Sequence, residues 1–365
     1  MASEQTIEKS DKQQTNAMNA NANNRTMTII LVILYLVLNS SLNLLNRYTL
    51  GHAGFSFPIL LTCAHLSFSV IALSPIMLAN KAYRDSHAEI LQKVKNGVVK
   101  IGLFMSLNIA MNNASLVSMP LSLNQVIRAS IPVVCAVCAV FVEGRVPSSI
   151  ETVGLLCVAG GVMFCISGSY QGQMSQSLSA NEREKNMVGL VYCITATISN
   201  ALMMTFSGKI MGGEKLDALR LTYYTAPVTL CALLPVALFL EGDRFVKKYL
   251  DFNTASREEL LYGDDYVSPF KVLLLVFGGC LNAVSYNFVH FALVGHTSAV
   301  TTTVLGNIKV ALLILCSRVL FGETKDWTLS MVFGALIALG GFGLYSFARI
   351  KVSQETSGRS SLGKK

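Results

Sequence analysis

The sequence predicts an all-α polytopic membrane protein with ten transmembrane helices, arranged as two inverted five-helix repeats. Hydrophobic residues make up 52% of the 365-residue chain and charged residues only 14%, whereas charged residues make up about a quarter of a typical soluble domain. Apolar runs of about 20 residues, each long enough to cross a ~30 Å hydrocarbon core, recur along the chain. These runs lie at 27–46, 57–79, 97–115, 120–142, 149–169, 187–207, 218–240, 270–293, 297–321 and 328–348.

Matching residues in the two halves of the chain predict the repeat. The pairs, each separated by 180 residues, are Phe141 with Phe321, Glu143 with Glu323, Gly154 with Gly334, and Gly160-Gly161 with Gly340-Gly341. Five crossings in each half would invert the second half relative to the first, which is the architecture of carriers that rock around a central site. Each glycine taken alone fits equally well a position that only eases close helix packing.

The chain is predicted to have five parts. They are a disordered cytosolic tail at 1–26, a first repeat at 27–169, a connecting loop at 170–186, a second repeat at 187–348 and a cytosolic tail at 349–365. Basic residues of the short connections, such as Lys93, Arg145 and Lys215, collect on the side of the N-terminus. The positive-inside rule therefore predicts that both termini face the cytosol.

Composition argues against nucleic-acid, metal and enzyme functions. The net charge of +8 comes from Lys and Arg scattered over connections and tails, without the basic helix or aromatic platform of a nucleic-acid-binding protein. All nine cysteines fall in apolar runs and lack metal-ligand spacing. The runs contain no nucleophile with a base, no carboxylate pair and no His-rich cluster. We therefore predict no nucleic-acid partner, no metal, no cofactor and no enzymatic activity.

Two cations lie in the middle of apolar runs, Arg128 in the fourth and Lys309 in the ninth. An unpaired charge in hydrocarbon is costly, and no Asp or Glu lies in the middle of any run. Because Arg128 and Lys309 occupy nearly equivalent positions of the two repeats, inverted symmetry would bring both to one cavity. A phosphate-bearing substrate is the predicted missing anion, and hydrogen bonding of the cations to backbone carbonyls or water is the structural alternative. Cations that need the substrate anion would make the empty carrier cross slowly, which predicts an antiporter.

Polar residues in neighbouring runs are candidates to complete the substrate site. They are Asn112 and Asn113 in the third run, Tyr223 and Tyr224 in the seventh, Tyr286 and Asn287 in the eighth, and Asn307 in the ninth. Such residues also join helices within a bilayer without touching any ligand. For each of them a helix-joining role is an equal alternative.

Several short motifs of the chain are similar to those of a known family. They are Asn46-Arg47, Phe57-Pro58-Ile59, Val126-Ile127-Arg128-Ala129 with Pro132, Tyr286-Asn287 and Gly306-Asn307-Ile308-Lys309. Over residues 27–350 the chain resembles the triose-phosphate/nucleotide-sugar translocator family of the drug/metabolite transporter superfamily. The resemblance implies that Arg128 and Lys309 bind phosphate, that Tyr286 helps to hold it, and that Asn112 faces the substrate.

The residue after Lys309 favours one branch of that family. It is Val310, whereas the plastid sugar-phosphate members carry Arg there, so the chain looks more like the nucleotide-sugar branch. That branch implies a Golgi or endoplasmic reticulum membrane and the exchange of a nucleotide sugar for a nucleoside monophosphate. Two alternatives stay open: a sugar-phosphate or phosphoenolpyruvate/phosphate translocator, and a non-transporting membrane receptor or scaffold. The sequence is equally compatible with a monomer and a homodimer.

Overall fold

A computed structural model describes residues 26–46, 48–118, 124, 127–170, 180–214, 216–249, 269–307 and 329–362. All regular secondary structure in these residues is helical. The prediction of an all-α fold is therefore confirmed for the part of the chain that is described.

The helices follow one another along the chain with short connections. They are α1 (residues 26–46), α2 (Pro58–Ala79), α3 (Lys81–Asp85), α4 (His87–Ser118), α5 (Ile131–Glu143), α6 (Ser149–Tyr170), α7 (Ala180–Gly213), α8 (Ala218–Ala237), α9 (Asp243–Tyr249), α10 (Pro269–His296), α11 (residues 299–307 of its described part) and α12 (Leu329–Leu362). Five-residue π-helical turns lie at Tyr48–His52 and Leu238–Gly242.

Polar residues and glycine define several helix ends. The side chain of Asn80 begins α3 by accepting a hydrogen bond from the backbone N–H of Ala82 at 3.0 Å. Asp217 caps α8 in the same way, through the backbone N–H of Arg220 at 2.9 Å. Gly144 ends α5 with a φ of 69°, in the left-handed region that favours glycine. These ends allow successive long helices to reverse direction over few residues.

Length and composition show that the protein crosses a membrane several times. Five helical segments of the described chain are long and apolar enough to span a bilayer: Thr26–Leu50, Pro58–Ala79, Met187–Gly213, Ala218–Tyr249 and Phe270–His296. Large apolar side chains such as Phe141 and Phe239 are 84% and 87% exposed, as expected where the surroundings are lipid rather than water. The prediction of a multi-pass membrane protein is confirmed.

Several helices extend beyond the predicted apolar runs. α4 begins at His87 rather than at 97, α7 begins at Ala180 inside the predicted connecting loop, and α12 continues to Leu362 through the predicted tail. Hydropathy locates the part of a helix that lies in hydrocarbon, whereas the helix itself continues into polar sequence. The runs at 120–142 and 297–321 fall only partly within the described residues, so the count of ten spans stays a prediction.

Glycines bring α6 and α12 into backbone contact. A Cβ atom at Gly161 would lie 2.7 Å from the carbonyl oxygen of Gly334, and one at Gly341 would lie 2.9 Å from the carbonyl oxygen of Gly154. Only glycine permits so close an approach of two helices. A shift of 180 residues converts the first contact into the second, because it exchanges Gly161 with Gly341 and Gly154 with Gly334. The matched glycines of the sequence are therefore matched contacts in the structure.

The largest buried cluster joins helices from both predicted repeats. Its fully buried side chains include Ile101 of α4, Cys135 of α5, Leu221 of α8, Leu293 of α10 and Val304 of α11. α5 follows the cationic position in the fourth run, and α11 precedes the one in the ninth. Packing in this cluster therefore sets the distance between the two polypeptide segments that carry the candidate site.

The substitution Gly161→Ala is expected to lower the free energy of unfolding by about 1–3 kcal/mol, because the added methyl group must push two helix backbones apart. Gly160→Ala is the matched control, since a Cβ there would meet no described atom within 4 Å. Thermal unfolding of the two purified variants in detergent is the measurement. Equal unfolding temperatures would contradict the close contact of α6 with α12.

Candidate functional site

Arg128 lies where the fourth run breaks between two helical segments. After Arg128 the chain leaves the helix for one turn, and α5 begins at Ile131. Pro132 has no N–H to donate to the carbonyl of Arg128, so one helical hydrogen bond is missing here, which favours the break. The turn is closed by Ser130, whose backbone N–H donates to the carbonyl of Ile127 at 3.1 Å. Membrane helices tolerate such breaks where the backbone lines a cavity or is covered by protein.

The described partner of the Arg128 guanidinium is neutral. The group is half-buried, and its Nη1 donates a hydrogen bond to Oδ1 of Asn108 on α4 at 3.1 Å. Among the described residues, its contacts include no carboxylate. A guanidinium has five N–H donors, so one amide oxygen leaves most of its donor capacity for other groups.

Two buried carboxylates of the described chain already serve helix ends. Glu151, which is 2% exposed, accepts a hydrogen bond from Nη2 of Arg145 at 2.8 Å. Glu241, which is 3% exposed, accepts from the backbone N–H groups of Ile59 and Leu60 at 3.0 and 2.8 Å. Glu241 thereby caps the N-terminus of α2 from the end of α8, where the helix dipole favours a negative charge. The described contacts of both carboxylates are therefore with groups other than Arg128.

Asn307 connects the second half of the chain to the break beside Arg128. Its side chain is 7% exposed, and its Nδ2 donates to the backbone carbonyl of Ala129. The contact joins residues 178 positions apart in the chain. It places the segment that leads to Lys309 next to the residue that follows Arg128. Lys309 itself lies outside the described residues, so its distance from Arg128 stays a prediction.

An aromatic cluster lies beside the same segment of α11. A Cβ at Gly306 would lie 3.2 Å from the hydroxyl of Tyr35 on α1. The ring of Tyr35 lies 5.9 Å from that of Tyr286 and 5.7 Å from that of His290, between ring centroids. The Tyr286 hydroxyl approaches Nδ1 of His290 at 3.5 Å, and Nε2 of His290 contacts the sulfur of Met204 at 3.1 Å. The structure thus brings Tyr286 and the Asn307 motif into one neighbourhood.

Amide side chains form a two-step ladder between α4 and the segment that carries Arg128. Asn108 accepts from Arg128, and one helical turn further Oδ1 of Asn112 accepts from Nδ2 of Asn124 at 3.3 Å. The same Nδ2 also donates to Oγ of Ser115 at 2.6 Å. The predicted site residue Asn112 is therefore part of the Arg128 neighbourhood.

Asn113 and Asn287 are half-buried next to Asn112 and Tyr286 in the sequence. Consecutive residues of a helix point about 100° apart, so neither shares the direction of its neighbour. The contacts described for the candidate site involve Asn112 and Tyr286 instead. A substrate-binding role for Asn113 and Asn287 stays a prediction.

The structure places the two predicted tyrosines of the seventh run away from Arg128. The hydroxyl of Tyr224 bonds to Nδ1 of His87 at 3.2 Å, and that of Tyr223 accepts from Oγ of Ser74 at 3.4 Å. His87 is the first residue of α4, and Asn108 lies about 30 Å further along the same helix at 1.5 Å per residue. Tyr223 and Tyr224 thus lie near the opposite end of α4 from the ladder.

Sequence reasoning missed four residues that the structure brings to this region: Tyr35, Asn108, Asn124 and His290. The spacing of Asn108 from Asn112 and of Tyr286 from His290, four residues in each case, places each pair on one helix face. That spacing was the available signal for Asn108 and His290. Asn124 has the same four-residue spacing from Arg128, whereas Tyr35 gives no such signal because its aromatic partners lie on another helix.

An arginine that bonds to an amide group at a helix break, next to apolar helices, is typical of a membrane transporter for anionic solutes. The family comparison agrees with that class. The chain belongs to the Triose-phosphate Transporter family, whose model matches residues 26–346. It is therefore a multi-pass solute transporter.

Relatives in Arabidopsis thaliana carry two kinds of name. A probable sugar phosphate/phosphate translocator is 28% identical over 80% of this chain and 75% of its own length. UDP-uronic acid transporter 1 is 28% identical over 83% of this chain and 90% of its own length. UDP-galactose transporter 1 is 22% identical, covering 88% and 86% of the two chains.

A solved crystal structure shares the fold. It has a TM-score of 0.59 and 13% sequence identity, and the match covers 88% of this chain and 98% of the other. At that identity the match establishes the arrangement of the helices alone.

The substitution Asn307→Leu is expected to lower the free energy of unfolding by about 1–3 kcal/mol, because it leaves the buried carbonyl of Ala129 without its donor. Asn43→Leu is the matched control. Asn43 is exposed, and its amide bonds only within α1, to Asn39. Thermal unfolding in detergent measures both variants. A loss for Asn307→Leu no larger than that of the control would show that this contact does not hold the halves together.

Proposed function

We propose that the protein is an antiporter that exchanges a nucleotide sugar for a nucleoside monophosphate across an internal membrane. The observation that carries the proposal is the half-buried guanidinium of Arg128, whose described partner is the neutral amide of Asn108. A phosphate group would supply the counter-charge and would accept two parallel hydrogen bonds from the guanidinium. The substrate is thus the anion that this position needs.

Lys309 is the second cation of the proposed site. The hydrogen bond of Asn307 to the Ala129 carbonyl ties the motif containing Lys309 to the break beside Arg128. Two cations would neutralise the two phosphates of a nucleotide sugar, and either one alone could hold a monophosphate. Tyr286 would add a hydroxyl to the phosphate from α10, and Asn112 an amide from α4.

The proposed architecture has ten transmembrane helices in two inverted repeats, at 27–169 and 187–348. Support comes from the glycine contacts of α6 with α12, which a shift of 180 residues exchanges. Such an exchange is what a two-fold axis between equivalent helices produces. Inverted repeats can rock around a site between them and expose it to one side of the membrane at a time.

Obligatory exchange follows from the same charges. When the site is empty, the halves must close over cations that have lost their counter-anion, which is unfavourable at low dielectric. Bound phosphate removes this cost in both directions. The loaded carrier should therefore cross readily, and the empty carrier slowly.

The residue after Lys309 and the names of the relatives bear on the choice of substrate. Val310 after Lys309 and the UDP-uronic acid and UDP-galactose transporters among the relatives favour a nucleotide sugar. The sugar phosphate/phosphate translocator at 28% identity supports the second candidate function, exchange of a sugar phosphate for inorganic phosphate. The nucleotide-sugar proposal carries with it a Golgi or endoplasmic reticulum membrane, with both termini in the cytosol.

Exchange in proteoliposomes tests the proposed function. Vesicles are preloaded with uridine, guanosine or cytidine monophosphate, with inorganic phosphate, or with buffer alone, and uptake of labelled nucleotide sugars and sugar phosphates is followed. One nucleoside monophosphate should stimulate uptake of its own nucleotide sugar by at least about tenfold over empty vesicles. Stimulation by phosphate alone would select the sugar-phosphate function. Equal uptake into empty and loaded vesicles would refute antiport.

The substitutions Arg128→Ala and Lys309→Ala are each expected to reduce exchange by at least about 100-fold, since each removes a charge-assisted contact with phosphate. Arg84→Ala is the control, because Arg84 is an exposed cation that pairs with the adjacent Asp85. Reconstituted amount and unfolding temperature are measured for each variant. Full exchange by either site variant would remove that residue from the proposed mechanism.

A further inference from the structure

Asn124 is a deeply buried amide one helical turn from Arg128. Its side chain is 1% exposed. One step of the amide ladder joins Asn108 to Arg128, and the next joins Asn112 to Asn124. The two steps are about 6 Å apart along α4. Because the numbers rise on α4 while they fall on the facing segment, the two segments run antiparallel. A group bonded to the Arg128 guanidinium would therefore lie about 6 Å from the Asn124 step, a distance that a chain of about four or five covalent bonds spans.

Hydrogen bonds determine which way the amide of Asn124 points. The hydroxyl of Ser115 donates to the backbone carbonyl of Asn112 at 2.7 Å, so its oxygen must accept from Asn124. Nδ2 of Asn124 thus faces Ser115, and it also donates to Oδ1 of Asn112. The backbone is held too, since the thiol of Cys193 on α7 contacts the Asn124 carbonyl at 3.7 Å. Contacts with α4 thus orient the side chain of Asn124, and a contact with α7 holds its backbone.

The other end of the amide has no described donor. Both N–H groups of Asn124 are used, whereas its Oδ1 is buried without a hydrogen-bond partner among the described residues. A buried acceptor without a donor is unfavourable, and a ligand that brings a donor would relieve that cost.

We propose that Asn124 is a specificity-determining residue that accepts a hydrogen bond from a hydroxyl group of the substrate, next to the phosphate bound by Arg128. The inference rests on the proposed function, because it uses the phosphate to position the ligand. Phosphate has no carbon-bound hydroxyl, whereas a ribose or a sugar presents such donors within a few bonds of the phosphorus. The oxygen is covered in this conformation, so the hydroxyl reaches it when the two halves separate around the site.

Matched ligand pairs test the role of Asn124. The pairs are uridine, guanosine and cytidine 5′-monophosphates, each with its 2′,3′-dideoxy analogue, and glycerol 3-phosphate with propyl phosphate. Half-saturating concentrations for exchange are measured in proteoliposomes for the wild type, Asn124→Leu, Ser115→Ala and Arg128→Ala. Asn43→Leu is the control, because it makes the same substitution at an amide that bonds to Asn39 within α1.

The wild type should prefer the hydroxylated member of the transported pair by about tenfold, the value of one well-made hydrogen bond. Asn124→Leu should reduce that preference to about onefold while leaving the affinity for the deoxy ligand unchanged. Ser115→Ala should give an intermediate preference, because it frees the amide to rotate. Asn43→Leu should keep the wild-type preference. Arg128→Ala should weaken both members of the pair equally.

Failure of the inference can be distinguished from failure of the proposed function. If exchange depends on Arg128 but Asn124→Leu keeps the wild-type preference, or weakens both ligands equally, Asn124 only joins helices and the inference is overturned. If Asn124→Leu fails to fold, Ser115→Ala provides the test. A wild-type preference for the hydroxylated ligand in Ser115→Ala would also overturn the inference. If the wild type exchanges none of the ligands, both the proposed function and this inference fall.

Discussion

A guanidinium inside a bilayer must be surrounded by polar groups, and this requirement organises the centre of the protein. Arg128 takes an amide oxygen from Asn108 on α4. The break between Arg128 and α5 leaves backbone that must also be bonded, and Asn307 of the second half reaches the Ala129 carbonyl there. The contacts of Arg128 and of the adjacent break therefore join α4, the start of α5 and the described part of α11 at a single place. The proposed substrate phosphate would complete the same set of interactions.

Packing away from the charge depends on small residues. In lipid there is no hydrophobic force between apolar helices, so close contact must come from shape. Gly154, Gly161, Gly334 and Gly341 let α6 and α12 meet through backbone atoms. Larger apolar side chains of α4, α5, α8, α10 and α11 then fill the buried cluster around the candidate site. The same cluster includes Leu155 and Val158 of α6 and Tyr345 of α12, so glycine contact and side-chain packing act together on that pair of helices.

The sequence predicted the helical fold and several membrane spans, but it did not predict which polar side chains contact one another. Hydropathy located the apolar runs, yet it missed that α4 starts at His87, because the first turns of that helix are polar. Tyr223 and Tyr224 were grouped with the site as polar residues in an apolar run, but their hydroxyls face His87 and Ser74. The four-residue spacing of Asn124 from Arg128 was visible in the sequence, but its contacts were not, because their partners lie on α4 and α7.

By itself the sequence determined that this protein crosses a membrane, and it predicted matched positions in the two halves and an anionic partner for Arg128. These properties depend on the transfer of each residue type into lipid and on spacing within one helix, so they are local. Only the tertiary structure decided that Asn307 bonds to Ala129, that Asn108 and Asn112 face Arg128 and Asn124, and that Tyr35 meets Tyr286. Such partners are chosen by how helices pack side by side, and many packings satisfy the same hydropathy, which is why no single helix reveals them.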